Sequence, residues 1–496
     1  MQQTTSSRPH LLTLLLIALS AVPFSIRSAA QSGPPTSQPP ASDSAQTSAQ
    51  TTVQTPAPTA PEPPAATFFG RWAQFYHEDW TNTLPPSPTP PRRGLPSPLD
   101  SPPFPNSDWS YGGSPVIGEP DTQSYPLMTA INGASSRTKL YGWAEPTLNF
   151  STSSQSNLPV ANDENANRFE LNQLVLYAER LPDTVQQKHF DWGYHLTALY
   201  GADYRFTTSK GILSSQLLDH DNRYGFDPAL EYLDLYFPKV AAGMNIRIGR
   251  YISIPGIEAQ LAPNNYTFSH SLLYAVDPFT DTGILATVKL SNQWLAQIGL
   301  AAGHDVAPWS SDAKPSGTAC LDYTTHSVAD NFYVCANGIN TARYAYNNVQ
   351  QYDITWYHKF SKSWHSATES WYMYERDVPA VGGPILPETN SNGAFCHAGL
   401  IRCTAPEYAA VNFLQYERNG HNFFSLRTDF LNDKKGQRTG YQTRYSEETL
   451  SWTHWIGSTV QIRPEIRFDH AWDRPSYGDG AHQNQFTIAS DVIYHF

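Results

Sequence analysis

One ten-residue stretch limits the fold more than any other: Val460-Gln461-Ile462-Arg463-Pro464-Glu465-Ile466-Arg467-Phe468-Asp469. Val, Ile, Pro, Ile and Phe occupy alternate positions, with Gln, Arg, Glu, Arg and Asp between them. Successive side chains of a strand point to opposite faces, so a period of two marks a strand between two unlike surroundings. The polar face is almost wholly charged, which suits a water-filled interior.

The alternation recurs from about Lys139 to the last residue. Met244, Ile246 and Ile248 oppose Asn245 and Arg247. Tyr352, Ile354 and Trp356 oppose Asp353 and Thr355. Phe424, Leu426 and Phe430 oppose Ser425, Arg427 and Asp429. About 14 strands are predicted, with 12 or 16 as alternatives. Short turns follow the even strands, and long connections, such as 253–281, 304–347 and 377–406, follow most odd ones. An even strand number with short turns at one end and long loops at the other is the pattern of a bacterial membrane barrel. The expectation is an all-β chain forming a transmembrane antiparallel up-and-down barrel over 138–496. Both termini would then be periplasmic.

Composition separates this reading from a soluble sandwich. Charged residues are 15% and aromatics 13%, against about 25% charged in globular domains. A sheet in lipid must close on itself, because unpaired strand edges cannot be solvated there. Trp192, Trp294, Trp356, Trp364, Trp371, Trp452 and Trp455 lie within or close to strand ends, where interfacial aromatics belong.

The front of the chain is different. Arg8 and His10 precede the apolar run Leu11 to Val22, and Ser28-Ala29-Ala30 supplies small residues. This is a secretory signal peptide pattern over 1–30. Residues 31–66 are Gln, Ser, Thr, Ala and Pro and read as a disordered linker. Of the 40 prolines, 22 lie between residues 31 and 126, so this quarter is not barrel wall. Residues 67–137 are expected to be a periplasmic or mouth-docked segment around Phe68, Phe69, Trp72, Phe75, Tyr76 and Trp80. The net charge of −12 disfavours nucleic-acid binding.

The stretches Leu171-Asn172-Gln173-Leu174-Val175-Leu176-Tyr177, Asp191-Trp192-Gly193-Tyr194-His195 and Pro278-Phe279-Thr280-Asp281-Thr282-Gly283 stand in the same order as in a known group. So do Leu199 to Asp203, Ile462 to Trp472 and Phe486 to Phe496. On these residues the chain resembles the putative β-barrel porin-2, or OmpL-like, outer-membrane family, over roughly residues 138–496. The resemblance implies a pore and supplies no catalytic residues.

The candidate site is the lumen. Arg247, Asp353, Arg427, Asp429, Arg463, Glu465, Arg467 and Asp469 are the pore-lining candidates. Arg at the bilayer midplane costs about 2–4 kcal/mol, so this set should point inward. Arg463, Glu465 and Arg467 are expected to pair with Arg427 and Asp429. Such a set either braces the wall or sets a transverse field that selects polar solutes. The connection 253–281 is the constriction candidate, through Glu258, Tyr266, Phe268 and Tyr274: a solvated loop would be poorer in aromatic groups. Residues 266–276 could instead add a strand. Cys320 with Cys335, and Cys396 with Cys403, are disulfide candidates as loop staples, with free thiols the alternative. Tyr494 and Phe496 are the C-terminal barrel signal for the assembly machinery.

No zincin, nucleophile-elbow, Walker or Rossmann motif is found. His77-Glu78-Asp79 lacks a second histidine, and His454 and His470 are ordinary strand-end residues. No enzyme activity, cofactor or metal is expected. The leading reading is a passive channel for small hydrophilic solutes in outer-membrane lipid, with a homo-oligomer suggested by analogy to porins. A structural barrel anchored by its Pro-rich tether is the alternative, and a lipid-acting barrel enzyme is a third class.

Overall fold

The structure, a computed structural model, describes residues 65–81, 125–131 and 136–496, except 185, 328, 342, 362 and 382–392. The expected signal peptide and nearly all of the 31–66 linker lie outside the described residues.

Sixteen strands form one closed sheet. They are β1 (Thr138–Ser151), β2 (Phe169–Arg180), β3 (Asp191–Gly201), β4 (Gly225–Phe237), β5 (Met244–Ile252), β6 (Thr280–Lys289), β7 (Trp294–His304) and β8 (Ser316–Thr324), followed by β9 (Asp330–Ile339), β10 (Gln350–Lys359), β11 (Trp364–Pro379), β12 (Arg402–Asn419), β13 (Asn422–Asp433), β14 (Thr443–Ile456), β15 (Val460–Ala471) and β16 (Asn484–His495). Each pairs antiparallel with the next, and β16 closes on β1 through pairs such as Phe150↔Ile488 and Ala144↔Tyr494. Phe496 extends the seam, its N–H donating to the Gly142 carbonyl at 2.9 Å and its carbonyl accepting from the Gly142 N–H.

The count is 16, the upper alternative, because the 304–347 connection contains β8 and β9. Both alternate: Ala319, Leu321 and Tyr323 face out while Thr318, Cys320 and Asp322 face in, and Phe332 and Val334 face out opposite Tyr333 and Cys335. Small and polar residues give these strands little bulk, which is why they read as loop. Cys320 and Cys335 are therefore direct cross-strand neighbours in β8 and β9, not loop residues, and their sulfurs are bonded. Cys396–Cys403 ties the connection before β12 to its start. Residues 266–276 add no strand; they hold one helical turn, Leu272–Ala275.

Turns after even strands are short, as at 457–459 and 420–421, and connections after odd strands are longer. At the short-turn end a band of Trp192, Trp294, Trp356, Trp364 and Trp452 faces outward, with Leu196, Ile284, Ile298 and Ile354 exposed further along the wall. An apolar outer surface of this extent is stable in lipid and not in water. Trp371 and Trp455 do not join the band: both point inward and are buried.

Among the described residues two helices precede the barrel: α1 (Phe68–Thr81) and α2 (Pro126–Ile131). In α1, Asp79 accepts from the Ser458 N–H (2.9 Å), the Ser458 hydroxyl (2.7 Å) and the Thr459 hydroxyl (2.8 Å). Gly457 makes this approach feasible: its φ is +58°, and a Cβ there would sit 2.2 Å from the Asp79 carboxylate. Tyr76 stacks on Tyr494 at 5.2 Å and donates to the His495 carbonyl. Arg71 donates to the Ala130 carbonyl and joins α1 to α2. Tyr125 then stacks on the inward Tyr141 at 4.0 Å, and Met128 packs in the same cluster with Trp143 and Tyr177. The aromatic patch predicted to dock is thus a helix on the short-turn end.

Candidate functional site: the lumen and its in-folded connection

The connection between β5 and β6, residues 253–279, lies inside the barrel. Every residue from Ser253 to Tyr274 is buried. Its apolar side chains explain part of this: Tyr266 packs on Phe413, and Leu272, Leu273 and Val276 join a cluster with Trp371, Met373 and Tyr445. Its backbone poses a harder problem, because buried N–H and C=O groups need partners. The charged wall residues supply them.

Arg463 donates to the carbonyls of Ala262 (2.9 Å) and Asn265 (3.0 Å). Arg467 donates to the His270 carbonyl at 2.6 Å. Arg427 donates to the Thr267 hydroxyl at 2.8 Å and to the Ser269 carbonyl. Acids serve the amides: Glu465 accepts from Phe268 N–H (3.0 Å), Asp429 from Leu272 N–H (2.8 Å) and Glu369 from Ile257 N–H (2.7 Å). Past the closing seam of the barrel, Gln173 of β2 accepts from Ala262 N–H and donates to the Gln260 carbonyl. The connection is thus held from β2, β11, β13 and β15 at once.

The pore-lining candidates sit on the inward faces of their strands and do not border open water. Arg427, Arg463 and Arg467 are at most 1% exposed, because the connection covers them. Their ion pairs also differ from the expected Arg463/Glu465/Arg467 set with Arg427 and Asp429. Arg463 pairs with Asp491, with Glu145 at 3.6 Å; Arg467 pairs with Asp469 at 2.8 Å; Arg427 pairs with Glu447 at 3.0 Å. Residues opposite or next-but-one on a face are closer than those two strands away, and Asp491 and Glu447 hold those places. Both lie on alternating polar faces, and that was the only signal for them in the sequence.

Arg247 and Asp353 lie elsewhere. Arg247 pairs with Asp234 through two 3.0 Å contacts and stacks over Tyr232 at 3.6 Å. Asp353 is buried in an acidic group with Glu369 and Asp277. Of the constriction candidates, Glu258 accepts from Ser271 N–H at 2.9 Å with Arg427 3.6 Å away, and Tyr266 meets His365 at 2.9 Å. Phe268 is buried, and Tyr274 stacks near His270 at 4.3 Å. Burial pushes the Glu258 carboxyl up, with Arg427 opposing. Burial also holds His270 down at about 3, helped by the nearby guanidiniums.

At the long-loop end, Arg438 from the β13–β14 connection donates to the Val276 carbonyl at 2.7 Å. Asn347 donates in turn to Asp305, which accepts from Thr280 N–H at 2.7 Å. The in-folded segment is thereby tied to three other connections. Among the described residues no group of three or more His, Cys, Asp or Glu is arranged to hold a metal ion.

Residues 138–496 match the family described as putative beta-barrel porin-2, OmpL-like. The chain is also similar to solved barrels. With the outer membrane channel DcaP of Acinetobacter baumannii it shares 11% identity at a TM-score of 0.48, covering 72% of this chain and 97% of that one. With an anion-selective porin from Comamonas acidovorans the values are 10%, 0.45, 72% and 99%. With OmpT of Vibrio cholerae, in a trimer form, they are 8%, 0.44, 72% and 99%. No curated protein matches the chain in sequence.

Proposed function

The chain belongs to the putative beta-barrel porin-2, OmpL-like family, and from that premise we propose that it is a channel for passive diffusion of small hydrophilic solutes across the outer membrane. The observation that carries this reading is a closed barrel whose bore is narrowed by one long connection, 253–279. In this reading the connection sets the constriction, and Arg427, Arg463, Glu465 and Arg467 hold it in place. Solutes pass where the connection yields, so its clamp governs conductance. The role is transport and not catalysis.

The test is single-channel conductance of the folded chain in a planar bilayer. Discrete steps that scale with salt are expected, with larger steps when residues 257–276 are shortened. A barrel shown to be folded by heat-modifiable migration, yet silent in both forms, defeats the channel reading.

The docking of α1 favours a second reading. Asp79, Tyr76 and Trp80 fix α1 to the 457–459 turn and the last strand. A barrel anchored to a periplasmic partner through that front segment would use such an attachment. Conductance from the full chain separates the two.

A further inference from the structure

The barrel uses only part of the apolar face of α1. At about 100° per residue, Phe69, Trp72, Ala73, Tyr76 and Trp80 fall on one side of this helix, and Arg71, Gln74, Glu78 and Thr81 on the other. Gln74 donates to Glu78 at 2.9 Å. Arg71, the one Lys or Arg of α1, donates to the carbonyls of Ala66 and Ala130. The polar side is therefore largely satisfied within the chain. The apolar side is not. Tyr76 is buried against Tyr494 and Trp72 is half-buried, but Phe69 is 80% exposed, Trp80 is 49% exposed, and Ala73 beside them is exposed too.

The contacts of α1 place that edge. Asp79 and Trp80 hold the 457–459 turn, where β15 begins, and Tyr76 holds the end of β16. Arg71 reaches α2 through Ala130, and Tyr125, just before α2, stacks on Tyr141 of β1. Since β15, β16 and β1 are successive strands, α1 runs along the short-turn rim, across strand ends, and so lies in the plane of the membrane. From Trp72 to Trp80 it rises about 12 Å, close to the two strand spacings it crosses. It lies on the outside of the wall, because Tyr494 is on the outward face of β16: its neighbours Ile493 and His495 point into the bore. Tyr141, by contrast, points inward, so α2 is on the mouth side of α1. Arg71, which reaches α2, stands half a turn round the helix from Phe69, Ala73 and Trp80, so those three face away from the mouth. The outer surface there is apolar down to the turns: Leu290 and Phe360 in short turns and Ile456 at the end of β14 are exposed. The lipid-facing surface thus reaches the level at which α1 is held.

We propose that α1 is an interfacial helix whose edge of Phe69, Ala73 and Trp80 inserts into the membrane leaflet at the short-turn end, with phospholipid as its partner. An in-plane helix that is aromatic on one side and polar on the other buries its apolar edge about 5–10 Å into the boundary of headgroups and acyl chains. Indole and phenyl rings suit that boundary, as in the Trp band of the barrel itself. With Arg71 committed to backbone carbonyls, the attraction is apolar and needs no charged lipid. The helix also supplies aromatic groups where the wall has none: Val460, Ile462 and Pro464 hold the outward positions of β15 nearest the turn.

The experiment attaches a nitroxide at Ala73→Cys, or at Glu78→Cys as the polar-side control, in the full chain folded into phosphatidylcholine vesicles. Relaxation by oxygen is compared with relaxation by a water-soluble nickel chelate. All four native cysteines are in disulfides, so the label has one site, and Ala73→Cys leaves Phe69 and Trp80 in place. Position 73 is expected to favour oxygen over the chelate severalfold more than position 78, and to do so equally when phosphatidylglycerol is added. Chelate contact at 73 equal to that at 78 overturns the proposal, because the edge then faces water. Loss of both oxygen and chelate contact at 73 overturns it in favour of a protein cover such as a second copy, and a preference for oxygen that appears only with phosphatidylglycerol overturns its apolar basis. Phe69→Ser should speed hydrogen exchange of 68–81 by about tenfold in the same vesicles; exchange equal to wild type counts against the proposal. Heat-modifiable migration checks that each barrel is folded, and should Phe69→Ser misfold, the two labels still decide. None of these readouts needs conductance, so they stand apart from the channel reading.

Discussion

Arg427→Ala is the sharpest test of the clamp. In the folded barrel this guanidinium meets Glu447 at 3.0 Å, Thr267 at 2.8 Å and the Ser269 carbonyl. Its removal strands Glu447 and frees two groups of the connection. Removing one partner of a buried ion pair costs about 3–5 kcal/mol. Glu447 lacks its partner whether the connection is in or out, so that share of the cost cancels. The lower end therefore applies, and the balance between in-folded and released connection shifts by roughly 10²-fold. Limited proteolysis of the folded barrel reads this directly, because cleavage within 253–279 requires release. Single-channel records should show it as excursions to larger conductance. Arg427→Met with Glu447→Leu should behave better than Arg427→Ala, since Glu447 is no longer left without its guanidinium, but worse than wild type, since Glu258 and the Ser269 carbonyl still lack theirs. Proteolysis and conductance of Arg427→Ala that match wild type would refute the clamp.

Three further outcomes are expected. A released His270 titrates near 6.5, whereas the in-folded one stays neutral down to about 3; release is therefore favoured as pH falls through that window. Glu258, pushed up by burial, acts in the opposite sense, so His270→Gln should remove the acid-promoted cleavage and leave the Glu258 contribution; acid-promoted cleavage that persists in His270→Gln would reject this assignment. Asp79→Ala deletes the contacts to Ser458 and Thr459 and should cost α1 about 1–3 kcal/mol of attachment, visible as faster hydrogen exchange in 68–81 with unchanged heat-modifiable migration of the barrel. Cys320→Ser with Cys335→Ser opens a link across 15 residues, worth about 3 kcal/mol by chain entropy; since β8 and β9 remain hydrogen-bonded to their neighbours, the barrel should fold with a lowered thermal transition.

The sequence by itself determined the class of fold. Alternation in segments such as Val460–Asp469 marks which side chains face in, and turn lengths mark which end is which, because both follow from local strand geometry. It also pointed to 253–281 as a connection folded into the lumen, since so many aromatic residues do not sit well in water. It obscured β8 and β9, whose faces alternate but whose residues are small, so the burial signal is weak. Only the tertiary structure decided how the charged face is used. Arg427, Arg463 and Arg467 look alike on their strands as charges at the edge of a pore, yet each is committed to a carbonyl or hydroxyl of the connection and to a carboxylate of the wall. That assignment depends on barrel closure, which brings β2 round to β15 through β1 and β16, so that β11, β13, β15 and β2 line one arc around the connection. No local pattern encodes which distant backbone groups will need a donor there.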